Sequence, residues 1–510
     1  MTVEDHERFD HPYPSQRFDV REFTGALSTV FSQPPGLVTA EWPPVQVKYL
    51  NEYLARLGCQ TMVVENHYID RDFMGDVALF YSRSLRGYPN SCRRLHFFAS
   101  GFGKKEWRSF VGSTGRVRAR VARELHDAYL GFSVVRPLPG SPVGRTVVPT
   151  LGEKSSSEDS RLFGAVRDYA VHVAGFTFNV RGLAFQQQDQ GVSACATTAL
   201  WSALHSVANR EGIAIPTPAE ITEAASRYLL MSGRSLPSEG LSTNQLCEAT
   251  RAAGLSPLHI RSDSLEHDRG QLLGYLSSGL PVVLVIQPIG GGDAHAVCAV
   301  GVKLGPVSPQ TNPDFYHRDG ASAVKGVYIH DDRLGPYATA DLYSHTDAET
   351  TSIRTAIRIR WPGEPVEFQH CIVKVLVVPV PVKLRLTIAR IRFVGAAIAT
   401  MTGKALPEFE RTITLNCRFL RATEYLEKAH TLGLSRKGLY QLVCGTVFSR
   451  YIGVIELTVP DGPLFDVLLD ATETESNPSV LCCVRRAELP NAAEPLLVDW
   501  ARVLGGSSIS

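Results

Sequence analysis

Between residues 165 and 380 the chain writes its helix-forming segments first and its apolar strand-like blocks afterwards. Ahead of them, DYAVHVAGFTFNVRGLAF (168 to 185) reads as strand and turn leading into a cysteine. TPAE (217 to 220) offers an N-cap threonine, a proline at the first helical position and a glutamate at the third, opening a helix expected to run to Gly233. STNQ (242 to 245) is a second capping box, for a helix ending at Gly254, and a third helical stretch near 268 to 278 ends at Gly279. Then come LPVVLVIQP (280 to 288), HAVCAVGVKL (295 to 304), KGVYIHDD (325 to 332) and HCIVKVLVVPV (370 to 380). The segregation predicts an α+β fold, with a helical half facing a mostly antiparallel sheet.

The 510 residues call for about three domains. Residues 1 to 42 carry no clear period and read as an irregular N-terminal arm. A helix is expected from Pro44 to Leu57, with Val47, Leu50, Leu54 and Leu57 on one face and Gly58 as its stop. Strand-like 60 to 65, 93 to 100 and 129 to 139 interleave with helical stretches near 71 to 83 and 115 to 127, so 43 to 150 reads as a module of its own, α+β or α/β. LGEKSSSEDS opens a linker over 151 to 164. From 381 to 510 a C-terminal α+β region follows, in which VKLRLTIARIRFVGAAIATM and RFLRATEYLEKAH look helical, YQLVCGTVFSRYIGVIELTV (440 to 459) hairpin-like, and LFDVLLDATE and SVLCCVRRAEL strand-like.

Lys+Arg (52) and Asp+Glu (51) nearly cancel, so no global field points toward nucleic acid or an anionic membrane. The N-terminus lacks the apolar core of a secretory signal, and the most apolar window, FVGAAIATM, falls short of the ~20 residues a spanning helix needs. A cytoplasmic location with no membrane span is the expectation. Ten scattered cysteines show neither a metal-knuckle spacing nor a disulfide framework, and read as reduced and mostly buried.

One of those cysteines is placed for chemistry. In FQQQDQGVSACATTALWSALHSVA (185 to 208), Cys195 stands where a Gln- and Gly-bearing loop turns into a helix, where free N–H groups and the helix dipole stabilise a thiolate. An amphipathic stripe of Ala196, Ala199, Leu200, Ala203, Leu204 and Val207 is expected to fix that helix and aim the thiol. A cysteine hydrolase also needs an imidazole, a group to orient it and oxyanion donors. His295 stands where the GGGDA loop (290 to 294) enters a strand. Asp331 and Asp332 end the next strand block. Gln188 and Gln190 lie just ahead of the cysteine, in reach of an oxyanion beside the Cys195 backbone N–H.

QDQGVSACATTALW, DAHAVCAVGVKL and YIHDDRLGPYA together resemble the papain-like cysteine peptidase superfamily, in particular its bacterial branch of bacteriocin-leader-processing peptidases. The resemblance covers roughly 165 to 380 and implies a papain-like core within the α+β fold. It implies a Cys195 nucleophile, a His295 general acid/base and Asp331 as the orienting carboxylate, four positions before Gly335, with Asp332 as the alternative. Where the family carries its glutamine, six positions before the cysteine, this chain has Asp189, flanked by Gln188 and Gln190; of these Gln190 is the favoured donor. Ala196 follows the cysteine, where many relatives have Gly or Trp. The implied activity is thiol-dependent amide hydrolysis of a protein or peptide substrate, as a peptidase or isopeptidase. Its alternatives are a transamidase using the same thioester and a peptidase-like binding or scaffold protein with impaired catalysis. No metal ion or organic cofactor is implied.

Cys298, His330 and His205 read as structural. Glu65, His67, Asp70 and Asp72 in ENHYIDRD offer metal-ligand types, but a strand end with a solvated turn explains them better. Arg116, Arg120 and Arg123, within the basic stretch 103 to 123, would stripe one helix face. A solvated face with Val117, Val121 and Leu125 buried is favoured over nucleic-acid binding there.

Overall fold

The computed structural model describes residues 13–28, 43–83, 85, 87–138, 140–152, 159–189, 192, 194–227, 240–310, 316–347, 351–362, 367–409, 411–474, 479–486 and the strand at 507–509. The first unit contains β1 (Ser15–Arg17), α1 (Val20–Ser28), α2 (Val45–Arg56), β2 (Thr61–Tyr68), α3 (Arg71–Leu79), β3 (Cys92–Phe98), α4 (Lys104–Val111), α5 (Gly115–Asp127), β4 (Tyr129–Val135) and β5 (Val143–Val147). Its five strands form one antiparallel sheet in chain order. Helix α2 begins after Pro44, buries Val47, Leu50 and Leu54, and ends before Gly58, as its apolar spacing predicts. The arm is less irregular than its composition suggests: β1 adds to the sheet edge, and α1 buries Phe23 and Leu27. On α5, Arg116, Arg120 and Arg123 are exposed and Val121 and Leu125 buried, but Val117 lies on the solvent side. Glu65 pairs with Arg94 and His96, and Asp70 caps α3 and pairs with Arg145, so the ENHYIDRD carboxylates have structural partners.

The second unit holds β6 (Ser160–Leu162), β7 (Arg167–Val173), β8 (Phe176–Gly182), α6 (Cys195–Glu211), α7 (Pro218–Ser226), α8 (Thr243–Ala252), β9 (Ser256–Arg261), α9 (Leu265–Ser277), β10 (Val282–Pro288), β11 (His295–Leu304), β12 (Arg318–Asp319), β13 (Val324–Asp331), β14 (Gly335–Thr346), β15 (Ile353–Trp361) and β16 (Glu367–Val380). The capping boxes at Thr217 and Ser242 form as the sequence predicts; residues 228–239, with the expected stop at Gly233, lie outside the described residues. Strands β10, β11, β13, β14, β15 and β16 pair antiparallel in that order, and β16 returns to β10, closing a six-stranded barrel. β9 extends β16 beyond the barrel, and β6, at the end of the expected linker, pairs with β11. Residues 153–158 of that linker are outside the described residues. β14 opens with a Gly-Pro pair and β15 alternates Arg with Ile; neither stands out as an apolar block, and both are needed for closure.

α10 (Ile388–Ala405) begins the C-terminal part, followed by β17 (Thr414–Arg421), α11 (Ala422–Glu427), α12 (Arg436–Gly445), β18 (Tyr451–Val459), β19 (Gly462–Asp470), β20 (Val480–Arg485) and β21 (Ser507–Ile509). Its sheet runs β12-β17-β18-β19-β20-β21, parallel only at the two outer pairings. Two expectations change here. RFLR is the end of a strand, because Leu415, Cys417 and Phe419 alternate into the core and pairing with β18 outweighs helix propensity. Residues 440–445 are helical, because Ser435 caps α12 by accepting from the Gly438 N–H.

Helix α6 packs on β11 and is buried on every side from Ala196 to Ala208. It is therefore a central helix with no solvent face, where an amphipathic stripe was expected, because β10, β11, β16 and helices α7 and α8 all lie against it. Leu200→Ala should lower stability by about 2–5 kcal/mol, the usual range for a truncated core leucine, measured by denaturant unfolding against wild type.

Candidate active site

The pairing of β11 with β13 sets the site. Cys298 pairs with His330 and Ala299 with Ile329, so the antiparallel ladder lays the start of β11 beside the end of β13. The His295 imidazole thereby meets the Asp331 carboxylate, Nε2 to Oδ1 at 2.9 Å, with Asp332 Oδ1 at 3.5 Å. All three residues are buried. The loop ahead of His295 runs through Gly290, Gly291 and Gly292 at φ of 96, 107 and 120°, a region open to glycine and costly to other residues.

Cys195 is the first residue of α6 and is partly exposed. Ala194, at the cap position, has no side chain able to accept from the helix N–H groups. The Cys195 thiol faces the His295 ring and favours its protonated form. With Nε2 on Asp331, the nitrogen left for the thiol is Nδ1.

Burial works against a charged imidazole, yet the Asp331 carboxylate, its hydrogen bond, the thiol and Asp332 together raise His295 to about 10. Burial likewise disfavours ionised Asp331, but His295 and the Arg333 guanidinium beside it hold its carboxyl well below the usual range. Arg333 donates its backbone N–H to Asp331 Oδ1 at 3.0 Å, and its guanidinium lies 3.4 Å from the same carboxylate. Asp332 has the opposite environment: burial raises its pKa, and among the described residues Oδ2 has no hydrogen-bond partner. Side-by-side carboxylates thus divide into an ionised one that grips the ring and one that favours its proton.

The turn carrying both aspartates is braced by the N-terminal unit. Gln46 Nε2 on α2 donates to the Asp332 carbonyl at 3.0 Å, and the Tyr49 hydroxyl donates to the Pro336 carbonyl at 3.0 Å. A Cβ on Gly335 would come within 2.1 Å of the Tyr49 ring. No local motif links α2 to this turn, so these braces and the Arg333 contact escape sequence reasoning.

The glutamines divide. Gln190 lies outside the described residues. Gln188 is half-buried. Gln187 is tied down, its Nε2 donating to the Gly140 carbonyl and its Oε1 accepting from the Val143 N–H. Gln186, not singled out from the sequence, is buried, and its Nε2 has no hydrogen-bond partner among the described residues. It adjoins Phe185, whose ring packs edge-on against His330. Asp189 accepts from the Val192 N–H and pairs with buried Arg136 at 3.5 Å, so a carboxylate committed to holding the loop stands six positions before the cysteine.

Cys298, His205 and His330 are buried, His205 against Trp201 and His330 against Phe185 and Tyr337. His295, Asp331 and Asp332 also form the one group among the described residues whose metal-ligating atoms lie within 4.8 Å of one another. Glu65, His67, Asp70 and Asp72 are not brought together in that way. No family model and no curated protein matches the chain.

In Asp331→Asn, burial is no longer opposed by the full carboxylate charge, and His295 should lose its proton at lower pH than in wild type. By linkage, the stabilisation from the raised His295 pKa is complete below the ordinary imidazole value near 6.5 and disappears as pH rises toward about 10. A histidine NMR titration checks the ring, and unfolding at pH 6 and pH 9 checks the sign. Gly335→Ala should displace the turn and lower stability, with Tyr49→Ala in the same chain relieving the clash; thermal unfolding of the single and double variants measures the relief.

Proposed function

We propose that the chain is a thiol-dependent amide hydrolase, a cysteine peptidase or isopeptidase, in which Cys195, His295 and Asp331 act as nucleophile, general acid/base and orienting carboxylate. One observation carries this reading: a buried imidazole at a strand start is hydrogen-bonded to a buried carboxylate, with the helix-opening Cys195 near enough to favour its protonated form. A buried helix led by the cysteine and packed on an antiparallel barrel supports the narrower, papain-like reading of the core.

In this reading His295 already holds the proton, as its raised pKa requires, and the Cys195 sulfur attacks the carbonyl carbon of the scissile amide as the thiolate. The developing oxyanion takes the Cys195 N–H and a side-chain amide from the preceding loop, supplied by Gln190 or Gln188, with Gln186 a further candidate. Collapse of the adduct breaks the C–N bond, and His295 protonates the departing amine, leaving a Cys195 thioester. Water attacks the thioester with His295 as base, releasing the acid and restoring the thiolate beside the protonated ring. Asp331 holds the ring in orientation throughout and stabilises its positive charge; Arg333 keeps that carboxylate ionised.

The loop before the cysteine favours a second reading, a peptidase-like binding protein with impaired catalysis, because Asp189 is engaged with Arg136 and offers no donor. Turnover separates the two. A fluorogenic peptide library should be hydrolysed by wild type and not by Cys195→Ala, with His295→Asn reduced at least about a hundredfold, the usual scale for a general acid–base group. Turnover unchanged in Cys195→Ala would overturn the hydrolase reading.

A further inference from the structure

We propose that the cleft between α2 and the outer face of the barrel binds a small phosphate-bearing ligand. The cavity measures about 500 Å³, within the size range of small-molecule sites. It is lined by Arg56, Arg161, Lys303, Arg358 and Arg360, against the single carboxylate of Asp341. Strand alternation produces this convergence. Asp341 pairs with Arg358 across the β14–β15 ladder, and Arg360 lies two positions along on the same face.

Among the described residues, the carboxylates nearby leave much of that positive charge uncompensated. Asp341 is shared between Arg358 at 3.0 Å and Lys303 at 3.4 Å, and Asp159 meets Lys303 at 3.6 Å. Arg161 is held by neutral partners, donating to the Tyr328 hydroxyl at 3.0 Å and to the Gly152 carbonyl at 2.8 Å. Arg56 lies over the Tyr53 ring at 5.4 Å. Among the described residues no carboxylate forms an ion pair with Arg56, Arg161 or Arg360.

Several guanidinium forks around one cavity suit a ligand with at least three acceptor oxygens and more than one negative charge, which a phosphoryl group supplies and a lone carboxylate does not. Phe368 is exposed at the cleft, with the Arg358 guanidinium 4.8 Å from its ring centroid, and gives a planar ligand group an apolar surface. The site is separate from Cys195, and its assignment does not depend on the hydrolase reading. Tyr49 belongs to both regions, lining the cleft and bracing the Asp331–Asp332 turn.

Isothermal titration of the full chain at low salt tests the proposal with pyrophosphate, AMP, adenosine and citrate as probes. Pyrophosphate and AMP should bind saturably and more weakly as salt rises, and adenosine should not bind. Arg56→Glu combined with Arg360→Glu changes two exposed side chains, so the fold should persist, as circular dichroism verifies; it should weaken AMP binding at least about tenfold. Arg116→Glu combined with Arg120→Glu on α5 should leave binding unchanged. The proposal is overturned if neither pyrophosphate nor AMP binds, or if both double variants weaken binding equally. Citrate binding as tightly as pyrophosphate would overturn the assignment to phosphate.

Discussion

A buried imidazole between two carboxylates is costly unless its charge is compensated at close range, and the register of β11 against β13 provides that compensation. The ladder sets His295 beside Asp331, and a shift of one residue would send one partner to the opposite face of the barrel. Because Asp331 is fully buried, removing either member would strand the other in a poorly solvated place. Arg333, two residues on, adds the positive charge that keeps Asp331 ionised beside a neighbour that prefers its proton. The site is one network, and its pair energies are not separable into independent contributions.

Closure of the barrel gives that register its rigidity. β16 is long enough to pair with β15, β10 and β9, so the strands bearing His295 and Asp331 belong to a sheet whose ends meet. Helix α6 lies against this wall with no solvent face, and its burial sets the depth and direction of the Cys195 thiol. From the other side α2 reaches the aspartate turn through Gln46 and Tyr49, so the N-terminal unit takes part in the geometry of the site.

Much of this was legible along the chain because short-range physics writes it there. The capping boxes at Thr217 and Ser242, the apolar spacing of α2, and the strand blocks at 282–288 and 295–304 all follow from periodicity and local hydrogen bonding. The site residues were legible by type and order: a cysteine at a helix start, a histidine at a strand start and an aspartate pair at a strand end. Where local signals compete, composition alone misleads, as at RFLR, whose strand state depends on its partner β18, and at 440–445, where a serine cap outweighs strand-like composition.

By itself the sequence determined which residues could carry chemistry and which segments favour helix or strand, because those properties act over a few neighbouring residues. Only the tertiary structure decided that the barrel closes, that α6 is buried all round, that Asp331 and Asp332 take opposite electrostatic environments, and that α2 braces their turn. Each of these depends on groups far apart in the chain, and no local pattern encodes the desolvation and charge they meet once packed together.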